Sequence, residues 1–179
     1  MADKNGIKNF RKKLKFWIAD LRVLEKVVPL RLNMVYYLDP DKRIIKFLHR
    51  HHVMTLATCR DNCPWCCQCF YTYVDSLCGL VFTSDTTTRH ITEALQQPLV
   101  AGSIVLETSV VGKLQGIQFE GKLFEAEGEL LKEIKTAYMK RFPFALLMDT
   151  KLWFIQLLTM KMTDNRLGFG KKLYWERLK

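Results

Sequence analysis

Hydrophobic and polar residues alternate with a period of two over several short parts of this chain. That period is typical of β-strands, and it predicts strands at 53–58, 65–74 and 80–84. Turn-forming residues fill the links at 60–64 and 75–79. Because such short links join adjacent antiparallel strands, we expect these three strands to be neighbours.

The second half of the chain has the same pattern. Four further strands are predicted, at 99–106, 113–126, 153–162 and 173–177. Gly112, Gly116 and Gly121 lie in or beside the longest of them. Glycines in a strand indicate bends or bulges of the kind that barrel closure requires.

Helical spacing of hydrophobic residues is found in segments that lie before or between the strands. Four helices are predicted, at 7–28, 39–51, 88–97 and 128–141. Pro29 ends the first, and Asp39 followed by Pro40 starts the second. Helices inserted among antiparallel strands predict an α+β domain built as a closed antiparallel barrel with peripheral helices. We place this domain at residues 34–179 and interpret residues 1–33 as a basic amphipathic extension.

Charge is concentrated at the two ends of the chain. The 179 residues carry a net charge of +10, of which residues 1–33 supply nine basic against three acidic residues and residues 161–179 six against two. The part between them is neutral, which argues against a nucleic-acid-binding face. The apolar runs 99–106 and 152–160 are too short for a bilayer, which needs about 20 residues. With no transmembrane segment or secretory signal, a cytoplasmic location is expected.

The turn that follows the third predicted strand has the composition of an anion-binding site. Thr86, Thr87 and Thr88 offer hydroxyl groups at a predicted helix start, where backbone N–H groups and the helix dipole favour negative charge. Arg89 adds a guanidinium that can bind a phosphate with two hydrogen bonds. The alternative is that the threonines only cap the helix. His90 is either a cofactor donor or an exposed helix residue.

Five of the six cysteines lie between Cys59 and Cys69, and with no export signal we expect them to be reduced. Cys63 and Cys66 have the spacing of a redox pair, but their surroundings are strand-like. A zinc site could be formed by Cys59, Cys63, Cys66, Cys69 and His51 or His52. We favour small apolar strand residues over either alternative, and assign no metal site. His49, His51 and His52 end a helix, and the loop 163–172 has turn chemistry that also suits a mobile lip over a ligand.

Several separated motifs resemble one protein superfamily. The Phe-Thr-Ser triplet at 82–84, the hydroxyl-rich turn and the helix that ends at Pro98 resemble the pyridoxamine-phosphate-oxidase-like FMN-binding split barrels. Arg141-Phe142-Pro143, GIQFEG at 116–121 and TDNRLGFGKKLYWER at 163–177 resemble its YhbP-like branch. The resemblance covers residues 34–179.

This resemblance implies a homodimer with two FMN sites at the subunit interface. The turn would hold the phosphate and ribityl groups, the strand 66–70 would lie along the isoalloxazine ring, and a further contact would come from the long strand. The implied cofactor-binding residues are Cys67, Gln68, Phe70, Thr83, Ser84, Thr87, Thr88, Arg89 and Gln118. Many members of the superfamily carry Arg or Lys where this chain has Cys67 and Gln68.

The sequence thus leads to an FMN-binding protein, and to a flavin-dependent oxidoreductase of unknown substrate as the functional hypothesis. No side chain is assigned as a catalytic acid or base. The alternative is a split-barrel module without redox activity that binds another planar anionic ligand.

Overall fold

The computed structural model describes residues 39–147, 150–168 and 171–178. The predicted extension 1–33 and its helix lie outside these residues. The described part contains three helices, α1 (Lys42–Arg50), α2 (Arg89–Gln96) and α3 (Gly128–Arg141). Its seven strands are β1 (Val53–Arg60), β2 (Cys63–Val74), β3 (Gly79–Ser84), β4 (Leu99–Val105), β5 (Gln115–Glu125), β6 (Lys151–Asp164) and β7 (Lys172–Glu176).

The strands form one antiparallel sheet that closes on itself. Their order is β3-β2-β1-β4-β5-β6-β7, and a further pairing between β3 and β6 closes a barrel of six strands with β7 outside it. The predicted α+β split-barrel fold with peripheral helices is thereby confirmed. β1 and β4 are neighbours although β2, β3 and α2 separate them in sequence, which gives the sheet its Greek-key-like order.

Closure depends on the length of β6. Residues 151–156 of β6 pair with β3, and residues 159–163 pair with β7, while β5 runs along both halves. The register between β5 and β6 shifts between Glu120 and Gly121, which confirms the irregularity predicted from the glycines of this strand. A Cβ at Gly121 would lie 2.8 Å from the carbonyl oxygen of Gln156, so only glycine allows this close approach.

The hydrophobic core fills the barrel and extends under two of the helices. Alternate residues of each strand point inward. In β1, for example, Met54 and Leu56 are fully buried. Ile44 and Leu48 of α1 and Ile91 of α2 join this interior cluster. A second cluster packs α3 against the outer side of the barrel, and it includes Val81, Ile134, Tyr138, Leu152 and Phe154.

Local chemistry explains where the first elements begin and end. Asp41 is the N-cap of α1 and accepts a hydrogen bond from the backbone N–H of Arg43 at 2.8 Å. The N-cap is therefore two residues later than the predicted Asp39, because the Asp41 carboxylate accepts from the first-turn amide of Arg43. Asp61 and Asn62 both have positive φ, and this allows the two-residue turn that joins β1 to β2. None of the helices in the described residues is long and apolar enough to cross a membrane.

Candidate functional site

The turn between β3 and α2 gathers the hydroxyl groups that the sequence singled out. Thr88 is the N-cap of α2, and its side chain does not cap an N–H of the helix. It donates instead to the carbonyl oxygen of Asp85 at 2.8 Å. The backbone N–H and the hydroxyl of Thr87 both donate to the Asp85 carboxylate at 2.7 Å, which lowers the pKa of Asp85. Thr88 thus occupies the N-cap position, but its hydroxyl does not bind a backbone N–H of the helix, as the capping alternative would require.

Ser84, Thr88 and His90 form a connected polar group beside this turn. The Ser84 hydroxyl lies 2.8 Å from Nε2 of His90 and 3.0 Å from the Thr88 hydroxyl. Nε2 of His90 is also 3.3 Å from the Thr88 hydroxyl. His90 thus points toward the end of β3 and is not simply exposed on the helix.

Arg89 reaches across to the start of β2. Its Nε donates to Glu93 at 2.6 Å, and its guanidinium lies 4.3 Å from the centre of the Trp65 ring. Glu93 is buried and also accepts a hydrogen bond from the Thr58 hydroxyl at 2.6 Å. These two bonds, first that from Thr58 and then that from Arg89, lower the pKa of Glu93. The Arg89 side chain is half exposed, and within the described residues only Nε takes part in an ion pair.

Thr83 lies on the other face of β3. Its hydroxyl is 3.2 Å from that of Tyr138 on α3, whereas the neighbouring Ser84 faces the turn. Consecutive residues of a strand point to opposite faces, so a ligand on one face meets only one of the two side chains.

The predicted flavin strand β2 divides its side chains between two faces. Cys67 and Cys69 point inward toward α2, and Gln68 and Phe70 are exposed on the outside of the barrel. Among the described residues, positions 63–70 of this strand pair with β1 alone, because β3 pairs with the strand from Tyr71 onward. The other edge of residues 63–70 is not paired with any strand in the part of the chain that the structure describes.

Gln68 and Gln118 belong to one row of outward-facing residues. The strand registers pair Gln68 with Thr55, Thr55 with Ser103, and Ser103 with Gln118. The row continues to Lys161 and to Tyr174, which is 70% exposed. Three strand spacings of about 4.8 Å place the two glutamines roughly 14 Å apart.

The part of this row from Thr55 to Tyr174 lines a groove of about 760 Å³, and Gln68 lies outside that lining. Small residues leave space above the sheet at its centre, where Ala57, Ala101 and Gly102 are neighbours. Cys66 and Tyr174 lie toward its two ends. The groove is large enough for a planar ring system, and its lining carries hydroxyl, amide and charged groups.

Cys67, Cys69 and His90 come together although the sequence did not associate them. Their sulfur atoms are 3.7 Å apart, and one nitrogen of His90 lies within 4.8 Å of both. The hydrogen bond from Cys69, helped by His90, lowers the pKa of the Cys67 thiol to about 5, and the same bond with burial raises the pKa of Cys69. A Cys-x-Cys spacing in a predicted strand puts both side chains on one face, and this was the available signal.

The two other cysteine hypotheses are not supported by the structure. Cys59, Cys63 and Cys66 are exposed, and they are absent from the close group of possible metal ligands in the described part of the chain. The zinc set that the sequence offered as an alternative is therefore not brought together in the described part of the chain. In the loop 163–172, the buried Asp164 accepts from Arg166 at 2.8 Å, so turn chemistry accounts for its first residues.

Comparison with known proteins identifies relatives over most of the domain. A UPF0306 protein of Photorhabdus laumondii is 38% identical over 134 residues, which are 75% of this chain and 94% of the relative. A UPF0306 protein of Yersinia pestis is 34% identical over 142 residues, or 78% of this chain and 97% of the relative. The chain belongs to the UPF0306 family. No family model matches it.

Solved structures similar to this UPF0306 protein share its fold at low sequence identity. A heme-binding protein of Mycobacterium smegmatis has a TM-score of 0.62 at 16% identity, over 73% of this chain and 55% of that one. An FAD-binding protein of Mesorhizobium loti has a TM-score of 0.56 at 15% identity, over 67% and 91%. A putative pyridoxamine 5'-phosphate oxidase of Listeria innocua has a TM-score of 0.51 at 15% identity, over 66% and 93%.

Proposed function

We propose that this UPF0306 protein binds FMN as a member of the YhbP-like branch, with the phosphate at the start of α2. The observation that carries the proposal is the convergence of Ser84, Thr88 and His90 at a helix start that no side chain caps. First-turn N–H groups, hydroxyls and the helix dipole all favour a phosphate there. Bound FMN would supply the electron-transfer chemistry. No substrate is proposed.

The residues of the turn fit a phosphate, although the carboxylates of Glu93 and Asp85 lie nearby. The terminal nitrogens of Arg89 are available in addition to the Nε that holds Glu93. Asp85 opposes the anion, because its carboxylate accepts from the N–H and hydroxyl of Thr87. Asp85 is exposed, so we expect its side chain to turn toward water when a phosphate takes over these donors.

The ring of FMN would lie against β2. No described strand pairs with the edge of residues 63–70 that faces away from β1, so its backbone N–H and C=O groups could bind the pyrimidine edge of a flavin. Gln68 and Phe70 flank this edge on the outside of the barrel, and Gln118 would be reached across the groove. The side chain of Thr83 would contribute through α3 and Tyr138 rather than by direct contact with the phosphate.

We further propose that the protein is a homodimer. Three apolar residues on the outer face lie together next to the polar row: Phe70 and Val53 are paired, and Val105 follows on β4. Their exposed fractions are 60%, 44% and 57%. Covering them with a second copy would remove this apolar surface from water and would deepen the groove from which Gln118 projects.

Heme is the second candidate, since it is also planar and anionic. The groove offers the exposed Tyr174 as an axial ligand, and Tyr is one of the side chains that bind heme iron. No histidine lines this groove among the described residues. Heme binding would therefore depend on Tyr174 as the iron ligand, whereas FMN binding would depend on the turn between β3 and α2.

The test is to add FMN and, separately, hemin to the purified protein and to record visible spectra and fluorescence titrations. We expect FMN to bind, and Arg89→Ala to weaken binding by about 1.5–3 kcal/mol, the scale of a charge-assisted hydrogen bond. Ser84→Ala removes a phosphate contact without exposing Glu93. Arg50→Ala, at the end of α1, is the control and should bind FMN normally.

Unchanged FMN affinity in both Arg89→Ala and Ser84→Ala would contradict the phosphate site. Binding of hemin that is lost in Tyr174→Phe, with no binding of FMN, would establish the second candidate instead.

A further inference from the structure

Two cysteines in the middle of β2 face a histidine from α2. Cys67 and Cys69 are separated by one residue on the strand, so both point to the same side of it. His90 is in the first turn of α2, which packs against β1 and β2. The fold thus brings a strand and a helix start together at three side chains that commonly bind metal ions.

The distances suit a tetrahedral ion. Zinc–sulfur bonds of about 2.3 Å at a tetrahedral angle place two sulfur atoms about 3.8 Å apart. The sulfur atoms of Cys67 and Cys69 are 3.7 Å apart, and a nitrogen of His90 lies within 4.8 Å of each. Binding of an ion would bring that nitrogen to about 3.6 Å from each sulfur, the separation set by tetrahedral zinc bonds.

The surroundings also suit a soft cation. Cys69 is 8% exposed and Cys67 and His90 are partly buried, so an ion here would be largely shielded from water. Two thiolates would neutralise the charge of Zn²⁺, and their two protons would be released on binding. Two sulfurs and one imidazole favour Zn²⁺ over Mg²⁺ or Ca²⁺, which prefer oxygen ligands.

His90 is held in orientation by hydroxyl groups. Its Nε2 lies 2.8 Å from the Ser84 hydroxyl and 3.3 Å from that of Thr88. Hydrogen bonds of this kind fix the ring of a metal-binding histidine and tune its basicity. Such contacts usually matter nearly as much to a site as the ligands themselves.

We propose that Cys67, Cys69 and His90 bind Zn²⁺, with a fourth position left for water or an exogenous ligand. The described residues supply no fourth Cys, His, Asp or Glu to this group. An open fourth position is what separates a reactive zinc centre from a purely structural one. The site goes beyond the proposed FMN binding, because Cys67 and Cys69 face the interior and the ion needs no flavin. His90 is the ligand that the zinc site would share with the proposed phosphate turn.

The experiment is a metal titration of the full chain, reduced and freed of flavin and metal. Co²⁺ serves as the spectroscopic probe, and Zn²⁺ affinity is measured by competition with a chromophoric chelator. We expect one equivalent of Co²⁺ to give thiolate-to-metal charge-transfer absorption, and Zn²⁺ to displace it. Zn²⁺ should also protect two thiols from alkylation, and mass spectrometry should place them at Cys67 and Cys69.

Variants separate this group from the exposed thiols. Cys67→Ser and Cys69→Ser should each weaken Zn²⁺ binding by more than about 100-fold, since even changes outside the ligands cost 10–100-fold. His90→Gln should keep the charge-transfer absorption and lower the affinity. The matched control is Cys63→Ser, at the exposed start of the same strand, which should bind Zn²⁺ like the unaltered protein.

Circular dichroism and thermal unfolding of each metal-free variant check that the fold is retained. Should a serine variant fail to fold, the alkylation pattern and the Co²⁺ spectrum of the unaltered protein still decide the question. Equal loss of binding in Cys63→Ser, protection of other cysteines, or an absence of Co²⁺–thiolate absorption would overturn the proposal. Failure of FMN binding alone would leave these readouts unchanged.

Discussion

Tyr71 links α1 to the barrel through a single buried hydrogen bond. Its hydroxyl donates to the carbonyl oxygen of Leu48 at 2.8 Å, and both residues are fully buried. Tyr71→Phe leaves that carbonyl without a partner and should lower the free energy of unfolding by about 1–2 kcal/mol. Chemical denaturation measures the change.

The matched control is Tyr73→Phe. Tyr73 is also buried, but its hydroxyl donates to the sulfur of Cys78 at 3.4 Å. Sulfur is a weak acceptor, so we expect a smaller loss than for Tyr71. Equal losses for the two variants would show that burial of the ring, and not the bond to Leu48, decides the effect.

Glu93 makes the stability of the α2 contact depend on pH. Hydrogen bonds from Thr58 and Arg89 favour its charged form and lower its pKa in the folded protein. A lowered folded pKa means that this contribution is present above the ordinary carboxyl pKa and is lost as the pH falls through the folded pKa. Thermal unfolding followed from pH 7 down to pH 3 should therefore show a shallower decline for Glu93→Gln than for the unaltered protein.

Glu129→Gln is the control for this series, because Glu129 is an exposed residue of α3 whose carboxylate pairs with Lys132 on the surface. It should follow the unaltered protein at each pH. Parallel curves for Glu93→Gln and the unaltered protein would show that Glu93 does not carry the effect.

At the scale of elements, β4 packs closely between β1 and β5 because Gly102 has no side chain. A Cβ at Gly102 would lie 2.5 Å from the carbonyl oxygen of Thr55 and closer still to the ring of Phe119. Gly102→Ala should destabilise the barrel by about 1–3 kcal/mol, the usual cost of overpacking. Gly112→Ala is the control, since nothing lies within 4 Å of its added Cβ, and its unfolding midpoint should stay unchanged.

Local chemistry predicts where the helices and strands begin and end, but it does not predict which strands pair with one another. The alternating pattern predicted each strand, and the glycines predicted the irregularity at Gly121. The sequence predicts the start of α1 two residues too early, because both Asp39 and Asp41 can cap a helix. Sequence alone gave no reason to pair β1 with β4, and without that pairing Gln68 and Gln118 have no common surface.

At the scale of the whole molecule, self-association tests the outer face. Val53→Lys introduces a charge into the exposed apolar row with Phe70 and Val105, and should shift the protein toward monomer in sedimentation velocity. Leu95→Lys is matched to it, since Leu95 is 58% exposed but lies on α2. If both variants or neither changed the oligomeric state, the dimer face would lie elsewhere.

The sequence by itself determined the periodicity, the turns and the hydroxyl-rich start of α2, because each depends on residues that are neighbours along the chain. It also placed Cys67 and Cys69 on one side of a strand. Only the tertiary structure decided what faces them. The group with His90 and the row from Gln68 to Gln118 depend on which strands and helices pack together, and these contacts join residues that are distant in sequence. Local preferences set the faces of a strand, whereas closure of the barrel sets its neighbours.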